Sequence, residues 1–324
     1  MRLGFAVKVL GREGLKSNDS RRWQNSPHLR VSIEYVNLIF DYLAETNISM
    51  YRISSDFAPY LTHPDMPQFH NQLEEAHDDL VALGKRAREM NLRLSFHPSQ
   101  YILLNSPNEK LTQTSIRDIN AQATILDIME QGEEAVVVTH VGGVYGDRDA
   151  ARTRFIERYC TLPEPAKRRV VLENDDTSWG VDDVLRIHEA TGIRCIFDHQ
   201  HHGCINPDGR DAVDACCAVL RTWQDRGKPK IHFSTPRVEE RIVERRDKAT
   251  GKRVQSSVAP LASQHADMID ANVFIPFARK VAAHYGGEPR DIPFDVMCEA
   301  KAKDLAVLQL REDLKQTAPD ITLE

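Results

Sequence analysis

The chain has 324 residues, 41% of them hydrophobic, which suits one large α/β barrel or two ordinary domains built on a sizeable core. A net charge of −6 and a pI near 6.1 argue against a protein that grips nucleic acid through a general basic surface, but not against a local basic or metal-rich cleft. No apolar run approaches the ~20 residues that cross a bilayer, Met1–Phe5 enters a strand pattern with no signal peptide ahead of it, and the six cysteines form no CxxC pair. A reduced, cytoplasmic or nucleoid-associated chain is expected, without a membrane partner and acting as a monomer.

In chain order, short apolar runs alternate with longer amphipathic stretches. Arg2–Val7 reads as a strand, Val31–Glu45 as a helix with Val36, Ile39 and Leu43 on one face, and Ser49–Ile53 as a second strand. A helix over Asn71–Met90 leads to strand Leu92–Phe96, and a helix over Thr112–Gln131, capped by Thr112, leads to the β-branched strand Ala135–Thr139. Asp147–Tyr159 is helical, Arg169–Leu172 a strand, and Val181–Ala190 a helix closed by Gly192. Strand Arg194–Phe197, helix Asp211–Gln224, strand Lys230–Phe233, helix Gln264–Ala282, strand Pro293–Met297 and helix Lys301–Leu314 complete the pattern. Eight strand–helix units predict a (β/α)8 (TIM) barrel in a single domain over 1–324. A doubly wound sheet is disfavoured, because Val7-Lys8-Val9-Leu10-Gly11 is not a Gly-rich phosphate turn. Within an expected loop insertion at about 237–257, Arg237–Arg253 carries seven basic and four acidic side chains; it reads as solvated, with an arm touching phosphates as the sharper alternative.

In such a barrel the active site forms where strands end. Here those ends carry His63 after strand two, then His97, His140, Glu173, Asp198 with His201, His232, His265 and Glu299. Six histidines and three carboxylates at one mouth exceed the needs of one zinc and suit two or three divalent ions with bridging carboxylates. The mixed nitrogen and oxygen set fits Mn or Zn better than Mg or Ca. Within Asp198–His202, read as a strand continued past Asp198, His201 is the chosen ligand; His199 and His202 are expected behind the ligands or at the surface. His28, His70, His77, His188 and His284 are read as ordinary core or surface residues. Lys230 faces inward two residues before His232, which makes sense if it is neutral or carries a carbamate.

These residues resemble the UV damage endonuclease family, related to endonuclease IV and the xylose isomerase-like barrels. The likeness runs over nearly the whole chain. It is carried by Met1–Phe5, Tyr51-Arg52-Ile53-Ser54-Ser55 with Thr62-His63-Pro64, Ser95–Tyr101, His140–Gly146, Leu172–Asp175, Pro229–His232, His265-Ala266-Asp267 with Asp270-Ala271-Asn272, and Glu299-Ala300-Lys301. The resemblance implies a repair nuclease that cuts immediately 5′ of pyrimidine dimers and 6-4 photoproducts, leaving a 3′-hydroxyl and a 5′-phosphate. It places the metal ligands on the nine residues above and the family's modified lysine on Lys230. It also matches Gln100 and Tyr101 to the pair that probes the lesion from within the duplex. Phe5 stands where some members carry Tyr, and is expected near the DNA without a hydroxyl contact.

Glu173 and Glu299, expected on opposite sides of the barrel, would bridge ions and act with Lys230 in catalysis. A weakly stacked damaged step is cheaper to flip than intact DNA, and Gln100 and Tyr101 would fill the gap. Three rivals remain: an abasic-site nuclease of endonuclease IV type, a metal-dependent sugar isomerase or epimerase, and a non-catalytic zinc-dependent or DNA-binding scaffold.

Overall fold

The strands of the barrel are three or four residues long and almost wholly buried. The computed structural model describes residues 1–246 and 251–324. In chain order its elements begin with β1 (Leu3–Ala6), α1 (Leu29–Thr46), β2 (Met50–Arg52), α2 (Gln72–Glu75), α3 (His77–Glu89), β3 (Arg93–Phe96), α4 (Glu109–Ile128) and β4 (Val136–Thr139). They continue through α5 (Arg148–Cys160), α6 (Glu164–Arg169), β5 (Val170–Glu173), α7 (Val181–Thr191), β6 (Arg194–Ile196), α8 (His199–Cys204), α9 (Ala212–Arg221) and β7 (Lys230–Phe233). β8 (Arg241–Arg246), β9 (Arg253–Val258), α10 (Ala271–His284), β10 (Asp295–Cys298) and α11 (Asp304–Thr317) end the chain.

Eight strands pair in parallel in the order β6-β5-β4-β3-β2-β1-β10-β7. The two edge strands meet through a parallel bridge between Asp198 and His232, where the His232 N–H donates to the Phe197 carbonyl at 2.9 Å. The ring closes, and the architecture is the expected (β/α)8 barrel. Alternation divides the side chains: Val137, Leu172, Phe197 and Phe233 pack towards the helices, while Val136, Val138, Val171 and Ile196 gather inside around Trp223. Trp223 is fully buried, donates from Nε1 to the Cys195 carbonyl at 2.7 Å, and is flanked by the guanidinium groups of Arg93 and Arg194. Gly4 is demanded by close packing, since a Cβ there would lie 2.4 Å from the Met50 carbonyl oxygen of the neighbouring strand.

Five local expectations change. The helix cap expected at Thr112 is Asn108, whose side chain accepts from the Leu111 N–H, and Thr112 lies inside α4. The helix expected over Asn71–Met90 breaks at Ala76 into α2 and α3. The helix expected from Gln264 starts at Ala271, capped by the Asp270 carboxylate on the Asn272 N–H. The preceding residues instead lie along the barrel mouth, where Ala266 N–H donates to Thr235 O and Lys301 N–H to Ala266 O. Past Asp198 the chain turns into α8 rather than continuing as a strand, because the Asp198 carboxylate caps the His201 N–H at 2.8 Å. The charged stretch is a two-stranded antiparallel hairpin of β8 and β9, not an open loop, although residues 247–250 of it lie outside the described residues.

Candidate metal centre

Parallel strands deliver their last inward residue to one end of a barrel, so residues far apart in sequence converge there. β3, β4, β5 and β7 bring His97, His140, Glu173 and His232 together, with Asp198 following β6 and Glu299 following β10. Glu173 is the hub. Its carboxylate lies 2.7 Å from His232 Nδ1, 3.2 Å from His97 Nε2, 3.5 Å from His140 Nε2 and 3.7 Å from His201 Nδ1. Two groups that could hold a metal ion share it: His97, His140 and Glu173, and Glu173, Asp198 and His232. Within each group the donor atoms lie within 4.8 Å of one another. Glu299 joins at 3.3 Å from His232 Nδ1 and pairs with Arg52 from the end of β2. Glu173 and Glu299 come from strands three places apart around the ring, and both carboxylates reach His232 Nδ1.

Burial and charge set the protonation of this cluster. For Glu173, burial works to raise the pKa, but the adjacent His232 and His140 and hydrogen bonds from His232 and His97 carry it well below the usual carboxylate range. Glu299 is likewise lowered against the pull of burial, chiefly by Arg52 and His232. Asp198 goes the other way: burial beside Glu173 and Glu299 outweighs His201 and pushes it well up. Burial brings His97 down to about 4, while for His201 the facing carboxylates of Asp198 and Glu173 overcome burial and raise it to about 9.

The residues fit a bound cation. Three largely buried carboxylates converge there, and Asp198 Oδ2 and His232 Nε2 are buried with no hydrogen-bond partner. A hard or borderline divalent ion would satisfy such orphaned donors.

His201 accompanies the cluster, its ring 6.0 Å from that of His140 and 6.4 Å from that of His265. The orienting partner of His201 Nδ1 is the Asn174 carbonyl at 2.9 Å, and that of His265 Nδ1 is the Glu299 carbonyl. His199 stacks on Phe233 and His202 Nε2 bonds the Arg210 carbonyl, so both are engaged outside the cluster. His63 stands apart. It lines a separate cavity of about 490 Å³ with Asp19, Asp56, Tyr60 and Asp118, and no ion pair or ring contact among the described residues joins it to the other eight. Lys230 is fully buried, its Nζ without a partner; burial, then the charges of Arg93 and Arg52, hold its pKa well below the usual lysine range.

Gln100 and Tyr101 are exposed on the turn after β3, and Gln100 lines a cavity of about 520 Å³ with His97, His140, Asp175, Thr177 and His201. The cavity floor is shaped by Gly142, whose φ is +108° and where a Cβ would lie 2.3 Å from Asn105 Oδ1. The expectation for Phe5 is corrected: it has no exposed surface and packs edge-on against Tyr51 at 5.5 Å, so it offers nothing to a duplex.

Two further residues carry weight here. Asn174 accepts from the Asp198 N–H at 2.9 Å and donates to the Asp198 carbonyl at 3.1 Å, locking the ends of β5 and β6 together. Arg52 is the counter-charge of Glu299. Their positions directly after Glu173 and at the end of β2 are the signals that sequence offers for them.

A family model described as UV-endonuclease UvdE matches residues 29–322. A UV DNA damage endonuclease of Bacillus velezensis (strain DSM 23117 / BGSC 10A6 / LMG 26770 / FZB42) is 34% identical over 275 residues, covering 84% of this chain and 77% of its own. The crystal structure of SacUVDE superposes with a TM-score of 0.79 at 29% identity, covering 98% of each chain. Endonuclease IV from Thermus thermophilus shares the fold, with a TM-score of 0.55 at 13% identity over 98% of this chain and 100% of that one. The chain belongs to the UV-endonuclease UvdE family.

Proposed function

We propose that this chain is a DNA repair endonuclease that incises the backbone immediately 5′ of pyrimidine dimers and 6-4 photoproducts, leaving a 3′-hydroxyl and a 5′-phosphate. The observation that carries the reading is the Glu173 hub, one buried carboxylate shared by two potential metal sets in a chain of this family. Two or three divalent ions, Mn or Zn, would be held by His97, His140, Glu173, Asp198, His201, His232, His265 and Glu299, with His63 as a ninth ligand on its separate loop. The chemistry such ions would supply there is Lewis acidity towards the phosphate and activation of a water.

The chain's own groups do the rest. Glu173 and Glu299 stay ionised, so they hold positive charge without competing protons. Asn174 and the Asp198 cap fix the backbone that presents Asp198 and His201. Lys230, whose pKa is held well below the usual lysine range by burial and then by Arg93 and Arg52, is suited to carry a carbamate and so add a negative group to the set. Gln100 and the 70% exposed Tyr101 stand beside the cavity, where they would fill the space vacated by a flipped lesion, with Tyr101 stacking on neighbouring bases. The substrate is duplex DNA, whose phosphates would meet the cationic contents of this pocket rather than a basic exterior.

The test is cleavage of an end-labelled duplex carrying one thymine dimer, beside matched intact and abasic duplexes, with Mn and with chelator. Metal-dependent cutting just 5′ of the dimer is expected, with no cutting of intact duplex. Faster cutting of the abasic duplex would replace the reading with an abasic-site nuclease.

A further inference from the structure

The β8–β9 hairpin is a feature that the metal centre does not use. It springs from the loop after β7, and thus from the same mouth as the cluster. Its base is fixed there: Pro236 bridges His265, and the Arg237 N–H donates to the Gln264 carbonyl at 2.7 Å. Beyond that base the two strands pair with each other over six register positions, from Arg241 opposite Val258 to Arg246 opposite Arg253. At about 3.3 Å per residue the ribbon reaches roughly 20 Å from its base.

Charge on the ribbon opposes that of the molecule. Arg237–Arg253 holds seven basic and four acidic residues in a chain whose net charge is −6. Arg246 and Arg253 are directly opposed across the strands and both are exposed, and Glu244 of the same face lies 3.4 Å from the Arg253 guanidinium, one carboxylate against two guanidiniums. Like charges at opposed positions destabilise a ribbon, and a two-stranded hairpin standing alone is only marginally stable in water. The same arrangement becomes favourable when an anion lies along that face. Ile242, Glu244 and Arg246 share this face with Arg253, Gln255 and Ser257, all of them at least partly open to solvent. Few apolar groups sit there for a protein partner, whereas phosphates spaced along a backbone match paired guanidiniums.

We infer that the hairpin is an arm that lies along the phosphate backbone of duplex DNA flanking the site of incision, gripping it without reading sequence. This rests on the proposed substrate and adds where the chain makes its sequence-independent contacts. An acidic protein then needs no general basic surface, because the ribbon adds a local excess of positive charge beside the pocket.

The experiment compares wild type with the triple variant Arg246→Ala/Lys252→Ala/Arg253→Ala and the conservative pair Arg246→Lys/Arg253→Lys. Binding to a 30-base-pair duplex, damaged and intact, is measured across a salt series. Removing one phosphate-neutralising charge should flatten the slope of log K against log salt by about 0.9. The alanine variant is expected to drop about 2 to 3 from that slope and to bind both duplexes roughly 10-fold more weakly at low salt, while the lysine pair keeps the wild-type slope. An unchanged slope in the alanine variant overturns the inference. So does weakening confined to damaged duplex, which would make the ribbon a lesion reader, or an unchanged slope with an altered oligomeric state, which would assign it to protein contact. Cleavage of the dimer duplex by wild type reports the proposed function separately, since the slope comparison on intact duplex stands whether or not the dimer is cut.

Discussion

Phe5 and Tyr101 mark the extremes of what a single residue can offer a substrate here: the first has no exposed surface and the second is 70% exposed. Only the second can enter a duplex. Gln100→Ala with Tyr101→Ala should lower the ratio of binding to damaged over intact DNA by roughly 10-fold, since base–aromatic stacking contributes about 1–3 kcal/mol. Thermal stability should not move, because neither side chain packs in the core; an unchanged ratio would remove both residues from lesion probing. Of the candidate ligands, His97, His140, Glu173, Asp198, His232 and Glu299 are legible one by one because each sits in or just past the end of a barrel strand, where polar groups interrupt the buried run. His63 is not placed by that rule, because it sits on the long loop after β2 rather than at the strand's end. Asn174 and Arg52 do not stand out in the sequence, because their roles depend on neighbours that only the closed barrel brings close.

At the scale of elements, strand and helix order can be read from periodicity, and the places where boundaries move all involve competing backbone partners. α8 exists because Asp198, a member of the buried cluster, also caps a helical turn. Sequence alternation cannot distinguish that turn from a continued strand. The closing seam of the barrel runs through the same residues, with Asp198 bridged to His232. Asn174 clamps this seam from the β5 side. Asn174→Ala would leave the buried Asp198 N–H and carbonyl without those partners, each worth about 1–3 kcal/mol when unsatisfied. Its unfolding free energy in urea should therefore fall by about 2 kcal/mol or more. A value equal to wild type would show that the seam holds without the clamp.

For the whole molecule, the two ends of the barrel divide stability from chemistry. At the end away from the cluster, Asp295 is fully buried among Arg93 at 2.8 Å, Arg2 at 3.2 Å and Lys228 at 3.4 Å. Glu324 joins this network to the N-terminal amino group at 3.0 Å and to Lys228 at 2.7 Å, tying both chain ends together. Burial would raise the Asp295 pKa, but Arg93, Lys228 and Arg2 bring it below the ordinary value. A lowered carboxylate stabilises the fold fully above its unfolded pKa, about 3.9, and loses that contribution as pH falls towards the folded value. Asp295→Asn should cost about 3–5 kcal/mol at pH 7, because Arg93 is left buried without its counter-charge. The difference from wild type should hold down to about pH 5 and shrink below about pH 4. A gap that widens in acid would contradict the assignment. The fold class is legible from eight repeated units; this network is not, because its members come from both chain ends and two distant strands.

Glu173→Gln tests the central claim that one carboxylate is shared by two metal sets. The variant keeps the size and burial of the side chain, so its melting curve should show a folded protein. Metal content per chain, damaged-duplex affinity and single-turnover cleavage would be measured on the same preparation. Fewer bound ions, affinity within several-fold of wild type and cleavage reduced by more than about 100-fold are predicted. Full metal loading with cleavage at the wild-type rate would contradict the account, because Glu173 would then be a buried structural acid and not the hub of the centre.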